Sequence, residues 1–129
     1  MNRRIFLTGI IFGILAIVLG AFGAHGLERL IDAKGIETFK TGVTYQMYHA
    51  LFLLVLGNTT KVPEKSKKIV YYFIVAGILM FSFSIYFLAT NSLTGFDFKT
   101  IGFVTPLGGL FLIIGWVVLG VRCLRLKEV

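Results

Sequence analysis

The chain lacks most of the residues on which disulfide scaffolds and metal clusters depend. Its 129 residues include one cysteine, two prolines and two histidines. The single cysteine, Cys123, excludes a disulfide framework and argues against a cysteine-rich metal cluster. Because Cys123 lies between Arg122 and Arg125 at the end of an apolar segment, its reversible acylation stays open.

Charged residues are also scarce, at 15% of the chain, and only six residues are acidic. Hydrophobic residues make up 57% of the chain and include 13 phenylalanines. Soluble domains rarely combine such values, so the composition excludes an ordinary soluble domain and indicates an integral membrane protein.

Recognisable enzyme motifs are lacking as well. The apolar segments hold no paired carboxylates, and the chain has no HExxH sequence, no phosphate-binding loop and no serine with a base at motif spacing. The LGGL sequence around Gly108 and Gly109 lacks the strand context of a dinucleotide site. We therefore predict a protein that is not an enzyme, with no catalytic residue, no bound metal and no resident cofactor.

What the chain does contain is four apolar segments, at about 5–24, 42–57, 69–90 and 101–121. Each is close to the roughly 20 residues that cross a bilayer core. The second is the least apolar, and we count it because an odd number of spans would put the two most basic flanks on opposite sides of the membrane. The first segment is longer than a secretory signal core, so we expect it to be retained. The sequence predicts a single four-span transmembrane domain over residues 1–129, an antiparallel all-α four-helix bundle.

Basic residues are unevenly distributed over the connections between these segments. If both termini are cytoplasmic, nine of the 13 Lys and Arg residues lie inside and four lie outside. We therefore predict a plasma-membrane protein with both termini in the cytoplasm. The net charge of +7 is explained by this asymmetry and by contact with anionic headgroups of the lipid bilayer, so no nucleic-acid partner is expected.

Small residues recur at helical spacing in the first and fourth segments. In the first, their intervals of four and three give the period of closely packed left-handed helix pairs. The predicted packing positions are Gly9, Gly13, Gly20 and Gly23, with Ala16 among them, and Gly108 and Gly115 in the fourth segment. We expect the small residues of the first segment to pack against another helix of the same chain. Their use in a homo-oligomer is the alternative.

The connection between the first two segments is also patterned. Leu27, Leu30 and Ile31 fall on one helical face, which predicts an amphipathic segment along the outer interface that is broken by Gly35. Four aromatic residues near segment ends or one turn inside them are expected to anchor at the membrane interfaces, namely Tyr71, Tyr72, Tyr86 and Trp116.

Three stretches carry a resemblance to a known family: LGAFGAHGL at 19–27, FKTGVTYQMYHALFLL at 39–54 and TPLGGLFLIIGW at 105–116. Together they resemble the small four-span membrane family known as domain of unknown function number 423, which includes bacterial plasma-membrane proteins and an animal relative of internal membranes. The resemblance covers nearly the whole chain in order and implies a fold and a location, without an activity. One departure lies at 82–86, where the family commonly has Ser-Gly-Ser-Leu-Tyr and this chain has SFSIY.

One polar constellation falls inside the predicted membrane region, on the second segment. His49 has Tyr45 one turn before it and Gln46 three residues before it, while Glu37 and Thr41 extend the same face toward the outer surface. Lipid cannot satisfy such groups, so they must face protein or a ligand. We predict a ligand or partner pocket here, in the outer half of the membrane. A buried imidazole that only fixes helix register is an equal alternative for His49.

The other histidine, His25, closes the first helix and is included among the predicted pocket residues, in the same outer half of the membrane as His49. Its alternative role is that of a helix C-terminal residue, with Gly26 as the left-handed end of the helix. Haem or copper shared between His25 and His49 is a third and weaker hypothesis, because the two residues differ in depth and facing.

These observations predict a non-enzymatic membrane protein that binds a lipid, a small molecule or a membrane-protein partner through the pocket around His49. An oligomeric transporter or channel for a small solute or for protons is the alternative, since one protomer of this size is too thin for an enclosed pathway.

Overall fold

The computed structural model describes residues 1–127, and over that range the fold is all α. Four long helices are joined by short connections: α1 is Arg3–His25, α2 is Ala33–Asn58, α3 is Glu64–Ala89 and α4 is Val104–Leu124. The connections contain three short 3-10 turns, Leu27–Arg29, Asn91–Leu93 and Phe98–Ile101. The described residues form no strand, and the predicted all-α four-helix class is confirmed.

The turn between α1 and α2 differs in detail from its sequence pattern. Its helical part is a single 3-10 turn in which Leu27 is buried, while Leu30 and its charged neighbours are exposed. α2 then begins at Ala33, because the side chain of Asp32 accepts a hydrogen bond of 2.8 Å from the backbone N–H of Gly35 and caps the helix. Gly35 therefore lies inside α2 and does not break the chain there.

Gly26 does not adopt the left-handed conformation predicted for it. Its φ of −82° and ψ of −50° are right-handed helical values, and its backbone N–H still donates to the carbonyl of Phe22. α1 ends at His25, and the chain continues with the same hand into the following turn.

Two helices form the centre of the bundle. α1 packs on α2, α4 packs on α3, and α2 and α3 pack on each other. The helix segments that include α1, α3 and α4 are each long and apolar enough to cross a membrane, whereas α2 is not among them. Within those apolar windows 22% of α1 and 17% of α4 is buried, against 39% of α3, so the two outer helices present the larger apolar surface to their surroundings.

The small residues of α1 lie against α2. A Cβ added to Gly9 would come within 2.9 Å of the carbonyl oxygen of Ala50, and one added to Gly23 would come within 2.9 Å of the Phe39 ring. The Cβ position of Gly20 lies 3.3 Å from Cγ1 of Val43, and that of Gly13 lies 3.8 Å from Cβ of Ala50. The small-residue stripe of α1 is therefore covered by α2 of the same chain.

The two glycines of α4 provide the same close approach to α3. A Cβ on Gly108 would collide with the backbone of Met80 and Phe81, and one on Gly115 would come within 2.6 Å of Ile74. At Gly108 the contact is with backbone atoms and leaves no room for a side chain, whereas at Gly115 the nearest atoms belong to the flexible side chain of Ile74.

Asn2 connects three helices at the end of the bundle that holds both chain termini. Its backbone N–H donates to the carbonyl of Gly57 over 2.7 Å, and its side-chain oxygen caps α1 by accepting from Ile5 N–H. Its side-chain amide donates to Glu64 over 2.8 Å. The start of α1, the end of α2 and the start of α3 therefore meet at one level, and α2 runs the full length of the bundle.

Candidate functional site

The side chain of Gln46 is fully buried at the junction of α1, α2 and α3. Its Nε2 donates to the backbone carbonyl of Phe12 over 2.9 Å, and its Oε1 accepts from the hydroxyl of Tyr86 over 2.6 Å. Each end of the amide thus has a partner on a different helix. A satisfied polar group of this kind joins three helices and fixes their relative positions.

A second hydrogen bond ties α2 to α3 one turn away from this amide. Ser82 Oγ donates to the carbonyl of Gly42 over 2.8 Å, and the Tyr86 ring covers Gly42 so closely that an added Cβ would lie 2.7 Å from its Cε1. Tyr86 is only 8% exposed. The prediction that Tyr86 anchors at the membrane interface is therefore wrong, because its hydroxyl is directed to Gln46 inside the bundle.

His49 is buried between α2 and α4, where both of its ring nitrogens have partners. Nδ1 lies 2.7 Å from the carbonyl oxygen of Tyr45, and Nε2 lies 3.1 Å from Nε1 of Trp116. An indole N–H can only donate and a carbonyl can only accept, so Nδ1 carries the proton and Nε2 accepts. This assignment makes His49 a neutral imidazole in one tautomer.

Trp116 reaches His49 from the middle of α4, which runs to Leu124. Its ring is perpendicular to the imidazole, with centroids 6.1 Å apart and an angle of 82°, and it also contacts Phe52 with centroids 4.4 Å apart. About half of Trp116 is exposed, while its N–H points inward. Trp116 therefore lies about two turns from the end of α4, deeper than the one turn predicted, and its N–H connects α4 to α2.

The other predicted pocket residues lie on exposed surfaces. Tyr45 is 42% exposed and packs edge-on against Phe81, with ring centroids 5.2 Å apart. Glu37, Thr41 and His25 are exposed, and the hydroxyl of Thr41 donates to the Glu37 backbone carbonyl. Of the predicted pocket residues, only Gln46 and His49 are buried and hydrogen-bonded inside the bundle, while the other four are exposed.

The two histidines lie in different halves of the bundle, whereas the sequence predicts both in the outer half of the membrane. α2 begins at Ala33, so His49 lies roughly 24 Å along the helix from its start, at about 1.5 Å per residue. His25 lies at the α1–α2 turn, at the opposite end from the chain termini. Across the described range, no group of three His, Cys, Asp or Glu side chains is arranged to hold a metal ion.

A cavity lies at the end of the bundle that holds the α1–α2 turn. It measures about 810 Å³ and is bounded by that turn, the start of α2, the end of α3 and the α3–α4 connection. Its charged lining consists of Arg29, Lys34 and Lys99 with one carboxylate, Asp32. We call this space the turn-side cavity.

The polar groups around the turn-side cavity are partly engaged already. Asp32 accepts from Gly35 N–H, and Asn91 donates to Asp97 over 3.1 Å and accepts from Phe98 N–H over 2.8 Å. These bonds hold the walls of the cavity in place. The three cations are exposed and leave a net positive lining.

Sequence reasoning did not assign these cations, nor Ser82, Tyr86 and Trp116, to a site. A signal was present for each group. Ser82 and Tyr86 are polar residues four apart on an apolar helix, and therefore share one face. The three cations lie in the first and third connections, which an antiparallel bundle brings to the same end.

Comparison with known proteins places the chain among small membrane proteins. The family described as "Protein of unknown function (DUF423)" matches residues 19–109. A UPF0382 membrane protein of Staphylococcus epidermidis is 37% identical over 119 residues, which cover 92% of this chain and 93% of the relative. The UPF0382 membrane protein YwdK of Bacillus subtilis is 37% identical over 129 residues, which cover 92% of this chain and 94% of the relative. One from Haemophilus influenzae is 33% identical over 116 residues, covering 90% of each chain. No solved structure matches.

Proposed function

The chain belongs to the DUF423 family of membrane proteins of unknown function, as its sequence motifs predicted, and from that premise we propose that it binds a small anionic molecule in the turn-side cavity, without catalysis. The observation that carries this proposal is the convergence of Arg29, Lys34 and Lys99 on one cavity of about 810 Å³. Ligand sites commonly occupy about 300–1,000 Å³, so the space suits a metabolite-sized molecule.

Charge and geometry support an anion as the occupant. Asp32 is the only carboxylate among the lining residues, and its oxygen is already engaged with Gly35 N–H. The positive end of the α2 dipole faces the same region, since α2 begins there. A carboxylate or phosphate group would interact favourably with both the basic side chains and the start of α2.

The buried polar groups favour this cavity over the pocket predicted around His49. Both ends of the Gln46 amide and both nitrogens of His49 have protein partners, so a ligand would have to break one of these bonds. In the proposed function Gln46 and His49 hold the helices together, and the ligand binds at the turn-side end.

We also propose four membrane crossings with both termini in the cytoplasm of the plasma membrane. α2 is less apolar than the other helices, but it runs beside α1 and α3 over their full length, with Gly57 at Asn2 and Gly35 near Ala89. A membrane crossed by α1 and α3 would therefore be crossed by α2. The excess of Lys and Arg at the end with the termini supports the orientation.

The binding proposal is tested by native mass spectrometry of small molecules that remain bound to the purified protein. Lys34→Gln removes a cation from the cavity lining, and Lys40→Gln is the matched control, because Lys40 is an exposed lysine of the same helix outside the lining. We expect an anionic species on the wild type and on Lys40→Gln, and its loss from Lys34→Gln. Equal occupancy in the two variants, or no bound anion on the wild type, would contradict the proposal.

Transport is distinguished by a separate measurement. Proteoliposomes that contain the protein should show no flux of the identified anion above that of empty liposomes. Flux that falls in Lys34→Gln but not in Lys40→Gln would replace the binding role with a carrier role for the same site.

A further inference from the structure

A second polar cavity lies at the opposite end of the bundle, between the start of α1 and the start of α3. It measures about 430 Å³. Its lining residues are Asn2, Arg4, Ile5, Glu64, Lys65, Lys68, Tyr71 and Tyr72. We call it the terminal-side cavity, and it shares no residue with the turn-side cavity.

The one carboxylate of this cavity is neutralised by neighbours. Glu64 accepts from the side-chain amide of Asn2 over 2.8 Å and forms an ion pair of 3.1 Å with Lys67, whose side chain is 1% exposed. Within the described range this is the single ion pair. Arg4, Lys65 and Lys68 are exposed and form no ion pair within the described residues, so they can interact with a ligand.

The membrane side of the cavity is amphipathic. Tyr71 is hydrogen-bonded to Thr8 across α1 and α3 at 3.0 Å, and its ring packs on Tyr72, with centroids 5.3 Å apart. Tyr72 is 49% exposed, and further along α1 the large apolar residues Leu7 and Ile11 are 45% and 57% exposed. Tyrosine rings commonly lie at the headgroup level, with apolar surface on one side and polar groups on the other.

We propose that the terminal-side cavity binds the phosphate of an anionic phospholipid whose acyl chains lie on the adjacent apolar helix surface. Arg4 offers a guanidinium fork that matches phosphate oxygens, and Lys65 and Lys68 add positive charge on the other wall. Basic pockets between membrane helices on the cytoplasmic side bind anionic headgroups in this way. A free anion would gain nothing from Tyr72 and the exposed apolar residues, whereas a lipid uses both parts.

This inference is independent of the small-molecule site and rests on the proposed function only for the membrane crossing and orientation. The two cavities lie at opposite ends, so their variants report on different sites. A wild type that shows no preference for the anionic lipid but still binds the turn-side anion would overturn this inference alone. A wild type that prefers the anionic lipid but binds no turn-side anion would overturn only the other proposal.

The experiment adds lipid to the purified detergent-solubilised protein and counts bound molecules by native mass spectrometry. The probes are phosphatidylglycerol, phosphatidylcholine with the same acyl chains, and inorganic phosphate. The test variant is Arg4→Gln/Lys68→Gln. Its matched control, called the α4 control, is Arg122→Gln/Arg125→Gln, which removes the same charge from two exposed residues at the end of α4, outside the cavity lining.

We expect the wild type and the α4 control to retain phosphatidylglycerol at least tenfold more tightly than phosphatidylcholine. The cavity variant should lose most of that preference, since it removes two of the three basic residues of the lining that have no ion-pair partner. Circular dichroism confirms that each variant is folded. If Arg4→Gln/Lys68→Gln does not fold, Lys65→Gln/Lys68→Gln leaves α1 intact and carries the same expectation.

Three results would overturn the inference. The wild type could bind both lipids equally, which needs no variant to interpret. The α4 control could lose as much preference as the cavity variant, which would indicate a diffuse surface charge. Inorganic phosphate at millimolar concentration could displace the lipid as readily as phosphatidylglycerol itself, which would indicate a site for free phosphate.

Discussion

The indole N–H of Trp116 donates to Nε2 of His49 over 3.1 Å and joins α4 to α2. The bond requires an unprotonated Nε2, because two N–H groups cannot share it. With Nδ1 donating to the Tyr45 carbonyl, both nitrogens of His49 are engaged. A metal ion or a proton could reach Nε2 only after this interhelical bond had broken.

Replacing Trp116 with Phe should remove this bond while keeping an aromatic ring in contact with Phe52. We expect the free energy of unfolding in detergent to fall by about 1–3 kcal/mol, since Nε2 loses its buried donor. In ¹⁵N NMR spectra both the wild type and Trp116→Phe should show His49 as the Nδ1-protonated tautomer, because the Tyr45 carbonyl still accepts from Nδ1, and the Nε2 resonance should shift in Trp116→Phe because the indole donor is lost.

The control for this substitution is Tyr48→Phe on the exposed face of α2, where the side chain is 57% exposed. It should leave both stability and the His49 spectrum unchanged. A wild-type spectrum of the Nε2-protonated tautomer would contradict the assignment.

Tyr86→Phe should leave Gln46 Oε1 without its donor in a fully buried position. The expected cost is about 1–3 kcal/mol, which is the penalty for an unsatisfied buried group. Because the two side chains act together, the cost of Tyr86→Phe should shrink markedly in a Gln46→Leu background. Thermal unfolding of the four proteins in this cycle measures the coupling, and strictly additive costs would show that the hydroxyl–amide bond contributes nothing.

Two glycines of α4 make a matched pair for the packing between α3 and α4. Gly108→Ala should destabilise the bundle by roughly 1–3 kcal/mol, because the new Cβ collides with the backbone of Met80 and Phe81. Gly120→Ala should be neutral or stabilise by up to about 1 kcal/mol, since no atom lies within 4 Å of its Cβ position and alanine favours a helix. Similar melting temperatures for the two variants would refute close packing at Gly108.

Asn2→Ala should loosen the end of the bundle that holds the termini. It removes the cap on Ile5 N–H and the amide donor to Glu64, for an expected loss of about 1 kcal/mol. Asn2→Ser keeps a capping oxygen but not the amide donor, so its loss should be intermediate. Hydrogen exchange of the first turn of α1 measures the effect, and unchanged exchange in Asn2→Ala would contradict it.

The packing faces could be predicted from the sequence because helical spacing alone decides which residues share a side. Gly9 and Gly23 lie on one stripe of α1, and that stripe contacts α2. Gly42, Gln46 and His49 likewise form the buried stripe of α2. Spacing within one helix carries this information without knowledge of any neighbour.

Partners on other helices could not be predicted in the same way. The hydroxyl of Tyr86 and the N–H of Trp116 find Gln46 and His49 only through the rotation and depth of each helix in the assembled bundle. The early start of α2, set by the Asp32 cap, also shifts the depth of His49. For this reason the sequence predicts a single polar pocket where the structure has separate hydrogen bonds that join Gln46 and His49 to three other helices.

The central position of α2 has a consequence for how the chain is made. On the proposed topology, a helix too polar to remain alone in lipid must cross the membrane between α1 and α3. Its glycine-lined contact with α1 is complete before α3 has been synthesised, so α1 and α2 can enter the bilayer as a hairpin. Until α3 is added, Oε1 of Gln46 lacks the hydrogen bond that Tyr86 donates in the complete fold. A hairpin of α1 and α2 without α3 would therefore hold an unsatisfied amide oxygen in the membrane.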